Sequence, residues 1–110
     1  MIEKHEIREC LNIILEKIMS EDESVISKIC DEKYFSSKFV LQEIEEYPGK
    51  ISRPEKLEFS EGNINRINEN DLYIYFNLWF DDMESDLVVT VRITKMEGML
   101  NFYIDEVHVH

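Results

Sequence analysis

The sequence predicts an α+β domain in which N-terminal helices pack on one face of a curved antiparallel β-meander. Three observations carry this. Apolar residues recur at helical spacing as far as Glu46, the period changes to two after Pro48, and the last connections are short enough to demand hairpins. The 110 residues, 44% of them hydrophobic, supply one packed core and too little chain for two, so 1–110 reads as a single domain.

Residues 2–19 place Ile7, Leu11, Ile14, Leu15 and Ile18 on one stripe of a helix, with most of the charged residues elsewhere on the wheel. Ser20-Glu21-Asp22-Glu23 then has the form of a capping box, Ser20 accepting from the backbone of Glu23. A shorter second helix should follow, with Val25, Ile26, Ile29 and Cys30 as its apolar stripe. The spacing predicts a third helix from Ser36 to Glu46, with Phe39, Val40 and Ile44 facing inward. Tyr47-Pro48-Gly49 should end it, because the residue before a proline avoids the helical region.

Leu57 to Phe59 and Ile64 to Ile67 are expected as short strands within a mostly irregular 49–70 segment. From Leu72 the alternation is sustained. Leu72, Ile74, Phe76, Leu78 and Phe80 share one face of a strand, with Tyr73, Tyr75, Asn77 and Trp79 on the other. Leu87, Val89, Val91 and Ile93 mark the next strand's core face, and Leu100, Phe102 and Ile104 mark the last. Val107 and Val109 are out of phase with Ile104, which predicts a bulge near Asp105-Glu106. Asp81 to Ser85 should join the first pair and Met96 to Met99, around Gly98, the second. The predicted core sets Leu72, Ile74, Phe76, Leu78, Val89, Val91, Phe102 and Ile104 against Leu11, Ile14, Ile18 and Phe39. This leaves a mixed face of Tyr73, Tyr75, Trp79, Thr90, Arg92, Tyr103 and Asp105 for water, a ligand or another chain.

The 24 acidic residues against 12 basic ones give a net charge of −12. The excess grows along the chain: beyond residue 80, Arg92 and Lys95 oppose Asp81, Asp82, Glu84, Asp86, Glu97, Asp105 and Glu106. Such a field repels nucleic-acid phosphates and anionic membranes and steers basic proteins inward, so the expected partner is a basic protein, with no nucleic acid and no membrane. No run approaches the about 20 apolar residues that cross a bilayer. The start of the chain lacks the basic-then-apolar order of a secretion signal, and the expected compartment is the cytoplasm, with Cys10 and Cys30 as free thiols.

No nucleophile motif, phosphate-binding glycine loop or CxxC pair is present, so neither catalysis nor a cofactor is expected. His108 and His110 have the spacing to share a strand face and hold a metal with a carboxylate, but two histidines at a strand end more simply form a polar terminus, and no metal site is assigned. Asp81-Asp82-Met83-Glu84-Ser85-Asp86 lacks the glycine bend and the terminal bidentate glutamate of a calcium loop. It reads either as a solvated turn that discourages edge pairing or, with Trp79 beside it, as a partner-binding knob for a basic cleft. Arg92 is expected to pair with Asp105 on the neighbouring strand. Alternatively, Tyr73, Tyr75, Arg92, Tyr103 and Asp105 line a pocket for an anionic molecule.

The order of helices followed by a curved meander, from Ile7 to Val109, resembles the cone-shaped nuclear-transport-factor-2-like fold in a short form. Glu84-Ser85-Asp86-Leu87 leading into a strand, and the closing Tyr103-Ile104-Asp105-Glu106-Val107-His108-Val109, look like a bacterial family of small proteins with that topology. Members of this kind resemble immunity proteins of contact-dependent growth inhibition and other polymorphic toxin systems. The resemblance implies a protein that neutralises a cationic toxin domain, a nuclease foremost, by blocking its cleft. The fold also hosts small-molecule binders and enzymes that use the concave sheet face, and a homodimer pairing its mixed faces is a third reading.

Overall fold

The computed structural model describes residues 1–33 and 35–109. Three helices come first: α1 (Lys4–Met19), α2 (Glu23–Ile26), which runs on into a 3₁₀ turn at Ser27–Ile29, and α3 (Ser37–Glu46). Five strands follow: β1 (Ile51–Ser52), β2 (Ile64–Asn68), β3 (Asp71–Phe80), β4 (Met83–Met96) and β5 (Met99–Val109). The sheet is antiparallel in the order β1-β3-β4-β5, with β2 also on β3. The α+β expectation holds, with the helices on one side of a curved sheet.

The buried face is the one the alternation predicts. Leu72, Ile74, Phe76, Leu78, Phe80, Val89, Val91 and Ile104 pack against Ile7, Leu11, Ile14 and Ile18, because only this register removes the apolar set from water. Two expected members differ. Phe39 is 41% exposed, and Val40 and Ile44 carry the inner face of α3 instead. Phe102 is half-buried at the margin of the core. On the opposite face Val88 and Thr90 are buried, so that surface is less open than its composition suggests.

Local chemistry sets the element ends. Glu6 Oε1 accepts the Glu3 N–H at 3.0 Å, and its second oxygen meets Lys95 Nζ at 2.9 Å, which ties the start of α1 to β4. The backbone bond to Glu3, then Lys95, hold the Glu6 carboxyl below its ordinary value of 4.5. The expected capping box at Ser20 is absent: Ser20 Oγ donates back to the Lys17 carbonyl at 2.6 Å, and Asp22 caps α2 by accepting from Ser24 at 2.9 Å. Asp22, already in the extended conformation, sits two residues closer to the apolar stripe it must start. Ser36 caps α3, whose end falls at Tyr47, extended before Pro48 as expected.

The predicted irregularity of the late strands is present, and a second accompanies it. Thr90 pairs with Glu106 and Val91 with Ile104, leaving Asp105 as the bulged residue that restores Val107 to the core. A second, unforeseen bulge sets residues 85–87 opposite Leu78. Ser85 Oγ donates to the Leu78 carbonyl at 2.6 Å and accepts from Leu87 at 3.1 Å, while Asn77 Nδ2 donates to the Ser85 carbonyl at 2.8 Å. The connection expected over Asp81 to Ser85 shrinks to Asp81 and Asp82, which take φ of 52° and 60° in a two-residue turn. Met96 and Met99 close the second hairpin around Glu97-Gly98 as expected.

β1 and β2 pair with opposite ends of the same β3 edge, at Trp79-Phe80 and at Asp71 to Ile74. Residues 53–63 span the gap between them as a strap, irregular up to a 3₁₀ turn at Glu61–Asn63, and the strand expected at Leu57 to Phe59 does not form. Cys10 and Cys30 are free thiols, and burial pushes both up to about 12. Among the described residues no helix is long and apolar enough to cross a membrane.

Candidate functional site

The two-residue turn leaves only Asp81 and Asp82 at the hairpin tip, so the expected cluster of Asp81, Asp82, Glu84 and Asp86 divides. Glu84 pairs with Trp79 and shares its face of the sheet. These two line a recess of about 280 Å³ with Lys56, Asn63, Tyr75 and Asn77. Asp86, displaced by the bulge at Ser85, turns the other way and accepts the Tyr47 hydroxyl at 2.6 Å. Asp81 has structural work: its Oδ1 accepts the Lys50 N–H at 2.9 Å, and the Asp82 N–H donates to Ser52 Oγ at 2.9 Å. Together these bonds lock the tip onto β1 and the Pro48-Gly49 corner.

Tyr47 organises this end. Its ring stacks on Phe80 with centroids 4.4 Å apart, and shallow depressions open on either side of Tyr47 and Pro48. Glu43, Glu46 and Asp86 line one, and Asp81 and Glu84 line the other, with no lysine or arginine at either. Among the described residues none of these carboxylates has a cation within ion-pair distance. Met83 at 69% and Val109 at 53% exposure stand beside them. The result is an acidic surface with apolar points, assembled from α3 and the β3–β4 hairpin. Glu43, Glu46 and Tyr47 were missed because sequence distance hides the approach of α3, although its acidic C-terminal turn was visible.

The expected pocket on the mixed face is a packed row. Tyr73, Arg92 and Tyr103 are direct neighbours across β3, β4 and β5. The partner of Arg92 is Asp71, not Asp105: Nε meets Oδ1 at 3.1 Å and Nη2 meets Oδ2 at 2.9 Å, a bidentate grip. The bulge explains the change, since it takes Asp105 out of the ladder while the start of β3 delivers Asp71. Asp71, then the Tyr103 hydroxyl at 3.4 Å, drive the Arg92 pKa upward, and the guanidinium also lies 5.5 Å from the Tyr73 ring centre. Tyr75 is exposed further along the same face.

His108 is half-buried, with Nδ1 3.8 Å from Glu106 Oε1, and His110 lies outside the described residues. Among the described residues no three His, Cys, Asp or Glu side chains converge on a metal-sized site.

A larger feature escaped the sequence altogether. Between α1 and the strap lies an open groove of about 860 Å³, lined by Arg8 and Asn12 from the helix and Arg53, Lys56, Leu57 and Phe59 from the strap. Arg8 lies over the Phe59 ring at 5.5 Å and directs Nε to the Leu57 carbonyl at 3.5 Å, while Arg53 donates to the Asn12 side-chain oxygen. Nothing in the periodicity marks it, because an irregular strap has none.

No curated protein and no solved structure matches this chain. The family model described as Domain of unknown function (DUF7668) matches residues 15–110, from the second half of α1 through the whole sheet, and the chain belongs to that family.

Proposed function

We propose that this chain is a non-catalytic binding protein that captures a basic protein on its acidic end, and that the partner is a toxin domain, a nuclease foremost, whose cleft it blocks as an immunity protein does. One observation carries the reading: Glu43, Glu46, Glu84 and Asp86 gather around Tyr47 and Pro48 with, among the described residues, no cation within ion-pair distance, in a chain of net charge −12. Unneutralised carboxylates repel one another and cost stability, so their grouping favours a role in steering a cationic surface. Met83, Tyr47 and Val109 then supply contact area once water is expelled. Trp79 reaches the same partner only around the edge, beside Glu84. The alternative, a small-molecule site on the sheet face, has less support, since the Arg92 guanidinium is already held by Asp71.

Capture from a lysate of the source cell, with wild type and the E43Q/E46Q/E84Q/D86N variant as paired baits, tests this. A basic protein held by wild type and lost from the variant, whose toxicity is relieved by co-expressing this chain, is the expected outcome. Equal retention on both baits would remove the acidic end from the interface, and a captured protein with no toxicity would remove the immunity role.

A further inference from the structure

We infer that the groove between α1 and the strap binds a small, doubly charged oxyanion, a phosphate monoester or a dicarboxylate, between Arg8 and Arg53. The four arginines spend their charge differently. Arg66 and Arg92 each hold a carboxylate, at 3.3 Å and 2.9 Å. Arg8 and Arg53 have none within ion-pair distance among the described residues, although the chain carries 24 acids, and both line the same groove.

Both guanidiniums are nevertheless positioned, by neutral partners. Phe59 and the Leu57 carbonyl hold Arg8, and the Asn12 amide holds Arg53. Asn12 follows Arg8 by four residues on α1, so the anchor of Arg53 and the stem of Arg8 rise from the same face of the helix, about one turn apart, and both guanidiniums line the one groove. A guanidinium has five N–H donors, and these contacts use few of them. Two forks with free donors on one groove suit the oxygens of a phosphate or of paired carboxylates, which guanidiniums bind bidentately.

The rest of the groove fits an organic ligand better than a bare ion. Its volume of about 860 Å³ suits a small molecule, Pro54, Leu57 and Phe59 give apolar wall, and Ser60 and Asn63 add neutral polar groups. Lys56 is a third cation, offset by Glu58 at 3.5 Å, and Glu55 is the remaining carboxylate of the lining. The net −12 of the chain opposes an anion at long range. Screening within about 8 Å at physiological salt leaves the local cations to decide. The groove shares no lining residue with the acidic depressions, so the two sites stand or fall separately.

Nitrogen-edited spectra of the arginine Nε–H groups, recorded during titration with inorganic phosphate, adenosine monophosphate and succinate at physiological ionic strength, provide the test. Saturable shifts of Arg8 and Arg53 with at least one probe are expected. Arg53→Gln should weaken that binding about tenfold or more, as loss of a charge-assisted contact implies, and Lys28→Gln, on an exposed cation elsewhere, should leave it unchanged. Arg53 is exposed, so its replacement leaves the thermal midpoint close to wild type and separates lost binding from lost folding. Tighter binding of the nucleotide than of inorganic phosphate assigns a role to the apolar wall, and equal binding assigns the site to the oxyanion alone. No saturable shift with any probe, or equal weakening by Lys28→Gln, would overturn the inference.

Discussion

Replacing Tyr47 separates two contacts that hold α3 to the β3–β4 hairpin. Tyr47→Phe keeps the ring on Phe80 and deletes the 2.6 Å hydrogen bond to Asp86. A hydrogen bond to a charged acceptor is worth about 1.5–3 kcal/mol when shielded and less in water, and Asp86 is exposed, so the expected loss is about 1 kcal/mol. Tyr47→Ala also removes the stacked ring. An aromatic pair adds about 0.5–1.5 kcal/mol beyond its buried area. With part of the ring open to water, the total should reach roughly 2–3 kcal/mol, below the range for fully buried aromatics. Urea unfolding reads both, since one domain of this size should unfold in a single transition. With a slope of about 1.5 kcal/mol per molar, the midpoint should fall by about 0.7 M for Tyr47→Phe and by about 1.3–2 M for Tyr47→Ala. Combining Tyr47→Phe with Asp86→Ala should cost little more than the larger single change, because the two groups share one bond. Additive costs, or an unchanged Tyr47→Phe midpoint, would show that α3 is not tied to the hairpin in this way.

Gly49 has φ of 97°, and a Cβ there would stand 2.5 Å from Asp81 Oδ2, so Gly49→Ala should lose roughly 1–3 kcal/mol in the same urea assay and loosen the hairpin tip. Thr90 is buried and, among the described residues, its hydroxyl has no hydrogen-bond partner, so Thr90→Val should raise stability by about 1 kcal/mol; a loss would place a partner on that oxygen. Glu6 titrates below 4.5 in the folded state, so it binds fewer protons there than in the unfolded chain between its two pKa values, and its stabilising effect is present above 4.5 and lost as the pH falls through the folded value. Glu6→Gln should therefore be less stable than wild type at neutral pH and converge with it in acid, measured as thermal midpoints across a pH series; a constant gap would mean that the charge of Glu6 is not what matters.

The fold was legible where burial is one-sided. Along β3 every second residue is apolar, and a slip of one position would expose Leu72, Ile74, Phe76, Leu78 and Phe80 together, so pattern and register coincide. The phase change at Asp105 was readable for the same reason. The bulge at Ser85 was not, because it depends on a hydroxyl and an amide meeting particular carbonyls, and it decides which way Asp86 turns. The partner of Arg92 was misjudged on the same scale, since a one-residue bulge takes Asp105 out of reach and leaves Asp71. Phe39 shows the limit of helical wheels, where a residue at the edge of the stripe remains open while Val40 and Ile44 are covered. The acidic end needed the tertiary fold, because α3 and the hairpin that build it stand far apart in sequence.

The acidic end is tested most directly by the association rate of wild type and the E43Q/E46Q/E84Q/D86N variant with the captured basic protein, measured across a salt series. Asp81 stays intact because it fixes the turn, and Asn at 86 still accepts the Tyr47 hydroxyl through its amide oxygen. Steering by this surface predicts a wild-type rate that falls steeply with salt and a variant rate that is slower by about tenfold or more at low salt and nearly flat thereafter. Equal rates for the two proteins at every salt concentration would contradict the account.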